Sequence, residues 1–387
     1  MKIIEITFWI STLIVIFVFI LYPIFLYILS LLYKKPIDKN YSFKPRISIL
    51  IAAYNEESGI EAKLENLLSI HYPEDLIEII IVSDGSTDKT DSILERYSEQ
   101  YKRIKSFTQE KNQGKTIAMN RAVKESSSEL LIFTDADNML VENAMEELVS
   151  NFNDPNIGCV CGTISFYSDE ESGTADTGGF YWKYNNLMRR LESKTGSTMG
   201  ANGALFGVRR NIFRSLEHYL IDDFSTSMNA IFNSYRLIIE PKAVARSKHT
   251  TNIDDENRRR IRIANRVCNA IIYFRKELLA MSFLNKFKFM FHKLLRYSAL
   301  FFMILSLITN IALYNESYIY ELLLIFQGIF YSAVLIGYLL NHLGLNPKIF
   351  FIPYYFTIMN YHQFRGALRA LLGKKQATWN TVNSSRN

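Results

Sequence analysis

LLIFTDADN, residues 130–138, runs from four large apolar side chains into two carboxylates one residue apart. An unbroken apolar run of this length reads as a strand buried on both faces. Successive side chains on an extended segment point opposite ways, so positions i and i+2 share a face. Asp135 and Asp137 therefore emerge together where the strand ends. Two like charges so close repel, and they either face water or share a cation between them.

The same rhythm extends outward from this stretch. ISILIAA at 47–53 and IEIIIV at 77–82 read as strands, and 103–107 reads as a short one. Residues 57–70, 87–97, 115–125 and 141–152 carry helical patterns, with Leu64, Leu67 and Leu68 on one face of the first. Strands rich in β-branched residues alternating with helices specify βαβ units. The expected fold is α/β with a mainly parallel sheet over residues 44–283.

Ligands of open α/β sheets bind beyond the carboxyl ends of the strands. The first strand runs into Tyr54-Asn55-Glu56-Glu57, the second into Asp84-Gly85-Ser86-Thr87-Asp88, and the opening one into Asp135-Ala136-Asp137. Polar groups thus converge on one edge from three strands. Carboxylate oxygens are hard donors suited to Mg²⁺ or Mn²⁺, ions usually completed by water and substrate phosphates. Lys115 closes KNQGK just before a helix, where an ammonium and free backbone amides can meet a diphosphate. Taken alone, it also reads as a solvated lysine. Asp84 either caps the following helix or hydrogen-bonds a nucleotide base or ribose. A Walker loop is missing and the first turn lacks GxGxxG, which argues against an ATPase or a dinucleotide enzyme.

Later segments add candidates. GANGALFGVRR at 200–210 offers small residues for close approach of backbone to ligand. Asp222 and Asp223 open a helical pattern; they complement its dipole, or one of them takes a proton from an attacking hydroxyl. Residues 254–266 pass from an acidic cluster to a basic helix that includes Arg258, Arg260, Arg262 and Arg266. Nucleic acid is set aside as its partner because the run stands just before apolar segments; a diphosphate contact or a solvated face remains. FKFMFHKLLR at 287–296 reads as an amphipathic stretch with a face for anionic lipid. His249 follows Arg246-Ser-Lys248 and reads as structural, or as a group near metal or phosphate. FYWKY at 180–184 either lines a sugar path or packs a helix.

The 387 residues are 49% hydrophobic, with a net charge of +6, and the apolar residues cluster at the two ends. Residues 8–33 contain no charge and exceed the roughly 20 residues that cross a bilayer as a helix. Lys34-Lys35 follows, which places the next domain in the cytoplasm by the positive-inside rule. Residues 297–313 and 318–340 are further candidate spans. The stretch from 349 to about 361 reads either as a last span or as an interfacial helix. The expected organisation is an N-terminal membrane helix over 1–34, the α/β domain, an amphipathic interfacial helix over 284–296, membrane helices over 297–373 and a polar tail over 374–387. Cys159, Cys161 and Cys268 have no zinc spacing and read as core thiols.

AAYNEE (52–57), VSDGSTD (82–88), NQGKTIAMNRA (112–122), TDADN (134–138), GANGALFGVRR and IDDF (221–224), in this order, resemble a known family. It is the membrane-embedded, inverting glycosyltransferases of family 2, which include cellulose, hyaluronan, chitin and poly-N-acetylglucosamine synthases. The resemblance covers about residues 44–266. It implies a GT-A fold, a nucleotide-diphosphate sugar donor, leaning toward UDP, and Mg²⁺ or Mn²⁺. It implies that Asp84 contacts the nucleoside, that Asp135 does likewise or helps place the diphosphate, and that Asp137 is the direct metal ligand. Asp223 stands at the family's catalytic base, and Asp222 replaces a usual glutamate. Tyr54, Glu56, Lys115 and Arg260 are the other residues expected around the donor.

One segment departs from the pattern. Polymerising members carry Gln-x-x-Arg-Trp where this chain has Asn257, Arg260 and Ile261. Isoleucine offers no flat face to an acceptor sugar. The implied activity is transfer to a glycan or lipid-linked acceptor at the cytoplasmic face of a bacterial or archaeal plasma membrane, in cell-surface polysaccharide synthesis. Single-sugar transfer to a membrane lipid and a membrane-tethered nucleotidyl or phosphoryl transferase are the alternatives.

Overall fold

β1 (Ile47–Ala53), β2 (Ile77–Ser83), β3 (Ile104–Thr108) and β4 (Leu130–Phe133) form the parallel half of an eight-stranded sheet. The computed structural model describes residues 1–167, 173–248 and 253–376. β5 (Met139–Leu140), β6 (Ile157–Tyr167), β7 (Phe206–Arg209) and β8 (Arg236–Lys248) complete the order β3-β2-β1-β4-β7-β6-β8-β5. β7 runs antiparallel to both β4 and β6, β5 is antiparallel to β8, and β6 and β8 are parallel. The four strands expected from sequence are all present, in a sheet that is mixed as a whole.

The strands that sequence pattern did not reveal carry interruptions. A Cβ on Gly158 of β6 would lie 2.6 Å from the Tyr235 Cβ, and one on Gly207 of β7 would lie 2.8 Å from Leu148. β8 contains Pro241, and β6 shifts register against it twice. These are close-approach positions, not defects, but they break the apolar run.

Helix α1 (Lys2–Ile16) passes through a π turn into α2 (Tyr22–Leu32). In the sheet domain α3 (Ile60–Leu68), α4 (Thr90–Gln100), α5 (Lys115–Glu125) and α6 (Ala144–Val149) follow the early strands. α7 (Gly173–Lys194), α8 (Asp222–Phe232) and α9 (Ile253–Tyr273) belong to its second half. α10 (Arg275–Ala280), α11 (Phe283–Phe289), α12 (Leu295–Tyr297), α13 (Ala299–Ala312), α14 (Tyr318–His342) and α15 (Lys348–Leu371) follow.

Alternate strand residues feed two cores. Ile47, Ile49, Ile51, Ile79 and Ile81 face Ile60, Leu64 and Leu67 of α3, while Leu50, Ile80, Leu131 and Phe133 face Ala118 and Ala122 of α5. Each fully buried Ile, Leu or Phe contributes roughly 1.5–3 kcal/mol. Cys159 and Cys161 are free, buried thiols, and Cys268 is a free, half-buried one.

Among the described residues two helices are long and apolar enough to cross a membrane, Lys2–Leu32 and Tyr318–His342. Phe283–Tyr297 and Ala299–Ala312 form a pair bent by 67°, which would make a third span if counted as one. α15 instead lies along α9. A Cβ on Gly366 would sit 2.6 Å from both the Ile261 carbonyl and the Ala264 Cβ. The Asn265 and Asn269 amides donate to the Lys374 carbonyl at 2.9 and 3.2 Å. The C-terminal end of α15 therefore rests on the sheet domain. Residues 377–387 of the expected polar tail lie outside the described residues.

The amphipathic stretch turns the opposite way from the expected lipid-binding face. Lys288, His292 and Arg296 are buried, while Phe283, Met290 and Leu294 are exposed. The reason is a buried anion. Glu192 of α7 accepts from His292 Nδ1 at 2.8 Å and from the Tyr22 hydroxyl of α2, while Lys288 Nζ donates to the Glu192 carbonyl at 2.9 Å. Tyr184 of the aromatic run packs the same junction, its hydroxyl donating to the Phe19 carbonyl at 2.9 Å. The Phe180 and Tyr181 side chains of that run lie outside the described residues.

Candidate active site

The loops after β1 and β2 are laced together. Asn55, at a positive φ of 52°, accepts from the Thr87 amide at 2.7 Å, and its own amide donates to Ser86 Oγ at 3.1 Å. The Glu56 amide donates to Thr90 Oγ1 at 2.8 Å, and Tyr54 and Glu56 are both half-buried in this loop. Asp84 is fully buried, and its two oxygens accept the Gln113 and Gly114 amides at 2.8 Å each. That contact draws the segment before α5 onto the strand ends. Gly85 makes it possible: at a φ of +71°, a Cβ there would lie 2.5 Å from the Lys111 carbonyl carbon.

α5 therefore begins at the acids. Lys115 Nζ lies 2.5 Å from Asp135 Oδ1 and 3.1 Å from Asp222 Oδ2. Asp135 is half-buried, Ala136 is buried and Asp137 is exposed, so the two acids share one side. Asn138 Nδ2 spans them, 3.3 Å from Asp135 Oδ2 and 3.2 Å from Asp137 Oδ1. The backbone of the 200–210 segment covers the cluster; a Cβ on Gly203 would lie 3.2 Å from Asp135 Oδ2 and 3.3 Å from Lys115 Nζ.

Burial and neighbouring charges divide the acids. Burial pushes the Lys115 ammonium down, but Asp135, Asp222 and Asp223 together hold it above its ordinary value. Burial raises Asp222, yet Lys115 and Arg266 bring it below the usual carboxylate range. Burial raises Asp135 too, opposed by Lys115 and reinforced by Asp137. Asp223 is pushed up to about 6 by burial and then by the Asp222 carboxylate. Two adjacent carboxyls are thereby driven apart, an arrangement that acid–base sites use. Behind the turn, Lys63 of α3 is fully buried, and burial lowers it to about 7 against the pull of Asp137 and Asp135.

α9 supplies the cations on the other side. Burial, then Arg259 and Arg266, lower Arg262 to about 10, while Asp135 and Asp222 pull it back. Arg266 donates to Thr116 Oγ1 at 2.6 Å and to the Leu220 carbonyl. Arg260 points elsewhere around the helix: it donates to the Tyr355 hydroxyl at 3.1 Å and pairs with Glu256 at 2.8 Å. The arginines gathered by the acids are thus Arg262 and Arg266. Their spacing from Arg259, i+3 and i+7, was a legible helical-face signal. Lys293 adds a third cation, its Nζ 5.7 Å from the centroid of Phe224, the residue after Asp223.

Among the described residues no group of three or more His, Cys, Asp or Glu side chains forms a ready-made metal cage. His249 lies outside the described residues. The donor set still fits Mg²⁺ or Mn²⁺, because Asp137 and Asp135 present oxygens on one side and such ions take one or two carboxylates plus substrate phosphates.

Residues 48–217 match the family described as Glycosyl transferase family 2. Over those residues the chain is similar to family 2 glycosyltransferases. A probable glycosyltransferase of Bacillus subtilis, YdaM, is 38% identical over 128 residues, 32% of this chain and 30% of the relative. A poly-beta-1,6-N-acetyl-D-glucosamine synthase of Staphylococcus epidermidis is 26% identical over 242 residues, 58% of each chain. The chain thus spans only 30% and 58% of the length of these curated relatives. Among solved structures, the mannosyltransferase PcManGT of Pyrobaculum calidifontis, in complex with GDP-Man and Mn²⁺, superposes with a TM-score of 0.73 at 22% identity, over 96% of this chain and 100% of that one. The fold is GT-A-like, a mixed α/β sheet flanked by apolar helices.

Proposed function

We propose that the protein is a membrane-bound inverting glycosyltransferase that moves a sugar from a nucleoside-diphosphate donor to a glycan or lipid-linked acceptor. The observation that carries this reading is the cluster in which Lys115 joins the Asp135 and Asp222 carboxylates, with Asp223 next along the first turn of α8. Burial and the Asp222 carboxylate push Asp223 up to about 6, so it is largely ionised at neutral pH yet a stronger base than an ordinary aspartate. The acceptor hydroxyl attacks the anomeric carbon, Asp223 takes its proton, and the bond from that carbon to the diphosphate oxygen breaks. One displacement inverts configuration and releases the nucleoside diphosphate.

Lys115 and Arg262, with Arg266 behind them, would offset the negative charge growing on the leaving diphosphate, which is preorganised electrostatic stabilisation. Asp137, with Asp135 beside it, would hold Mg²⁺ or Mn²⁺, which supplies further charge neutralisation when bound. Tyr54 and Glu56 would face the nucleoside at the same edge, with Asp84 behind them holding the Gln113 and Gly114 amides. UDP-linked donors are the first to test and GDP-linked donors the second, given the donor bound by PcManGT. The Lys34-Lys35 pair after the first span supports a cytoplasmic catalytic domain.

Single-sugar transfer is favoured over polymerisation by Ile261. It is 7% exposed, and its carbonyl packs against Gly366 of α15. The position where polymerising relatives present tryptophan is therefore core packing. The test is to incubate membranes carrying the protein with labelled nucleotide sugars and Mg²⁺ or Mn²⁺, then size the product and extract it into organic solvent. One added sugar and free nucleoside diphosphate are expected. A ladder of lengths would refute single transfer, and released pyrophosphate would mark a nucleotidyl transferase.

A further inference from the structure

A lysine occupies a helix position where an apolar residue belongs. On α3, Ile60, Leu64 and Leu67 are buried in the sheet core, and Lys63, on the same side, is 0% exposed. Burying an ammonium among apolar side chains is costly unless its protons find acceptors. Lys63 Nζ donates to Thr134 Oγ1 at 3.2 Å and to the Asn138 carbonyl. These two residues bracket Asp135 and Asp137. Both contacts continue. Thr134 Oγ1 donates onward to the Ala204 carbonyl at 2.8 Å, in the segment that covers the site. The Asn138 side chain holds both acids from the front. One amine therefore pins the two ends of the acidic turn from behind and ties them to the roof of the site.

We propose that Lys63 is a positioning residue that holds the acidic turn in the form that receives a divalent cation. The inference rests on the reading of Asp137 as a cation ligand. Without Lys63 the buried Asn138 carbonyl loses its donor, Thr134 loses its orientation toward Ala204, and the turn relaxes. Lys63 itself touches neither cation nor donor; it acts through Thr134 and Asn138. Partners of this kind, one layer behind a ligand, change metal affinity by ~10–100-fold when removed.

The test uses the full chain in detergent or nanodiscs, with Mn²⁺ titrated calorimetrically in the presence of UDP or GDP. Lys63→Met keeps the volume and removes the donors. It is expected to raise the Mn²⁺ dissociation constant at least ~10-fold. A purely structural role would lower the melting temperature and leave that constant unchanged, and K63M binding Mn²⁺ like the wild type overturns the proposal. Should K63M fail to fold, Thr134→Val and Thr134→Ser carry the test. T134V should weaken Mn²⁺ binding and T134S should preserve it; equal affinities overturn the proposal. Asp137→Ala separates the two readings. If D137A binds Mn²⁺ normally, Asp137 is no ligand and both fall. If D137A loses the ion while K63M keeps it, only Lys63 is misassigned.

Discussion

Asp223→Asn should silence transfer and stabilise the fold at once. Burial and the Asp222 carboxylate hold Asp223 at about 6, above the ordinary 3.8. A carboxyl with a raised folded-state pKa binds its proton more tightly in the folded protein than in the unfolded chain. Its contribution is therefore most favourable below the unfolded pKa and declines as pH climbs through the folded one. The interval from 3.8 to about 6, at ~1.4 kcal/mol per pH unit, is ~3 kcal/mol of destabilisation at neutral pH. Water reaching this half-buried group reduces it, to ~1–3 kcal/mol. Asparagine carries no charge and escapes that cost. The assay is thermal unfolding of wild type and D223N in one detergent from pH 4 to 8. The variant's advantage should be near zero at pH 4 and reach its full size, a few degrees, above pH 6. In parallel, wild-type kcat/KM should fall on its acid limb with an apparent pKa near 6, a value belonging to the coupled acids as a group. D223N that transfers sugar near the wild-type rate, or a melting difference indifferent to pH, would falsify the assignment.

Two substitutions probe the surroundings of that base. Lys115→Met leaves the Asp135 and Asp222 carboxylates facing each other without their shared cation; loss of ~3–5 kcal/mol of stability and of donor binding is expected, read by chemical denaturation and by equilibrium binding of labelled UDP or GDP. Gly200→Ala forces a side chain at a φ of +103° and places its Cβ 2.8 Å from Phe224 Cδ2. It should cost ~1–3 kcal/mol and lower kcat by displacing the residue next to Asp223; unchanged kcat would show that Phe224 gives way freely.

The parallel half of the sheet was legible because β4 is an unbroken apolar run and β1 and β2 are broken inside only by Ser48 and Glu78, and β1 and β4 lie at the residues the pattern predicts. β6, β7 and β8 were hidden by Gly158, Gly207 and Pro241, each placed where neighbouring chain comes close or pairing shifts. In the site, the i, i+2 spacing of Asp135 and Asp137 and the helix starts at Lys115 and Asp222 were visible. Lys63 was not read, although its spacing from Ile60 and Leu67 puts it on the apolar face of α3; a lysine there ordinarily snorkels outward, and its buried acceptors are distant in sequence. Arg262 and Arg266 were obscured by Arg260, which stands at a family motif position; rotation of α9 against α15 decides which arginines face the acids. The amphipathic stretch shows that two faces exist, but which one turns inward depends on Glu192, which is distant in sequence.

That inward turn has a consequence for the lipid around the protein. Lys288, His292 and Arg296 find their anions and carbonyls within the chain, so they are not offered to phosphatidylglycerol or cardiolipin headgroups. The outward face carries Phe283, Met290 and Leu294, beside an exposed Lys286 whose Nζ donates to the Leu279 carbonyl, so what it offers a bilayer is chiefly apolar contact. Reconstituted in vesicles of neutral lipid, the enzyme should hold its seat as firmly as in anionic ones, and added salt should not detach this helix. On that expectation the bilayer would set the depth of the sheet domain, and the protein's own charges would set its angle.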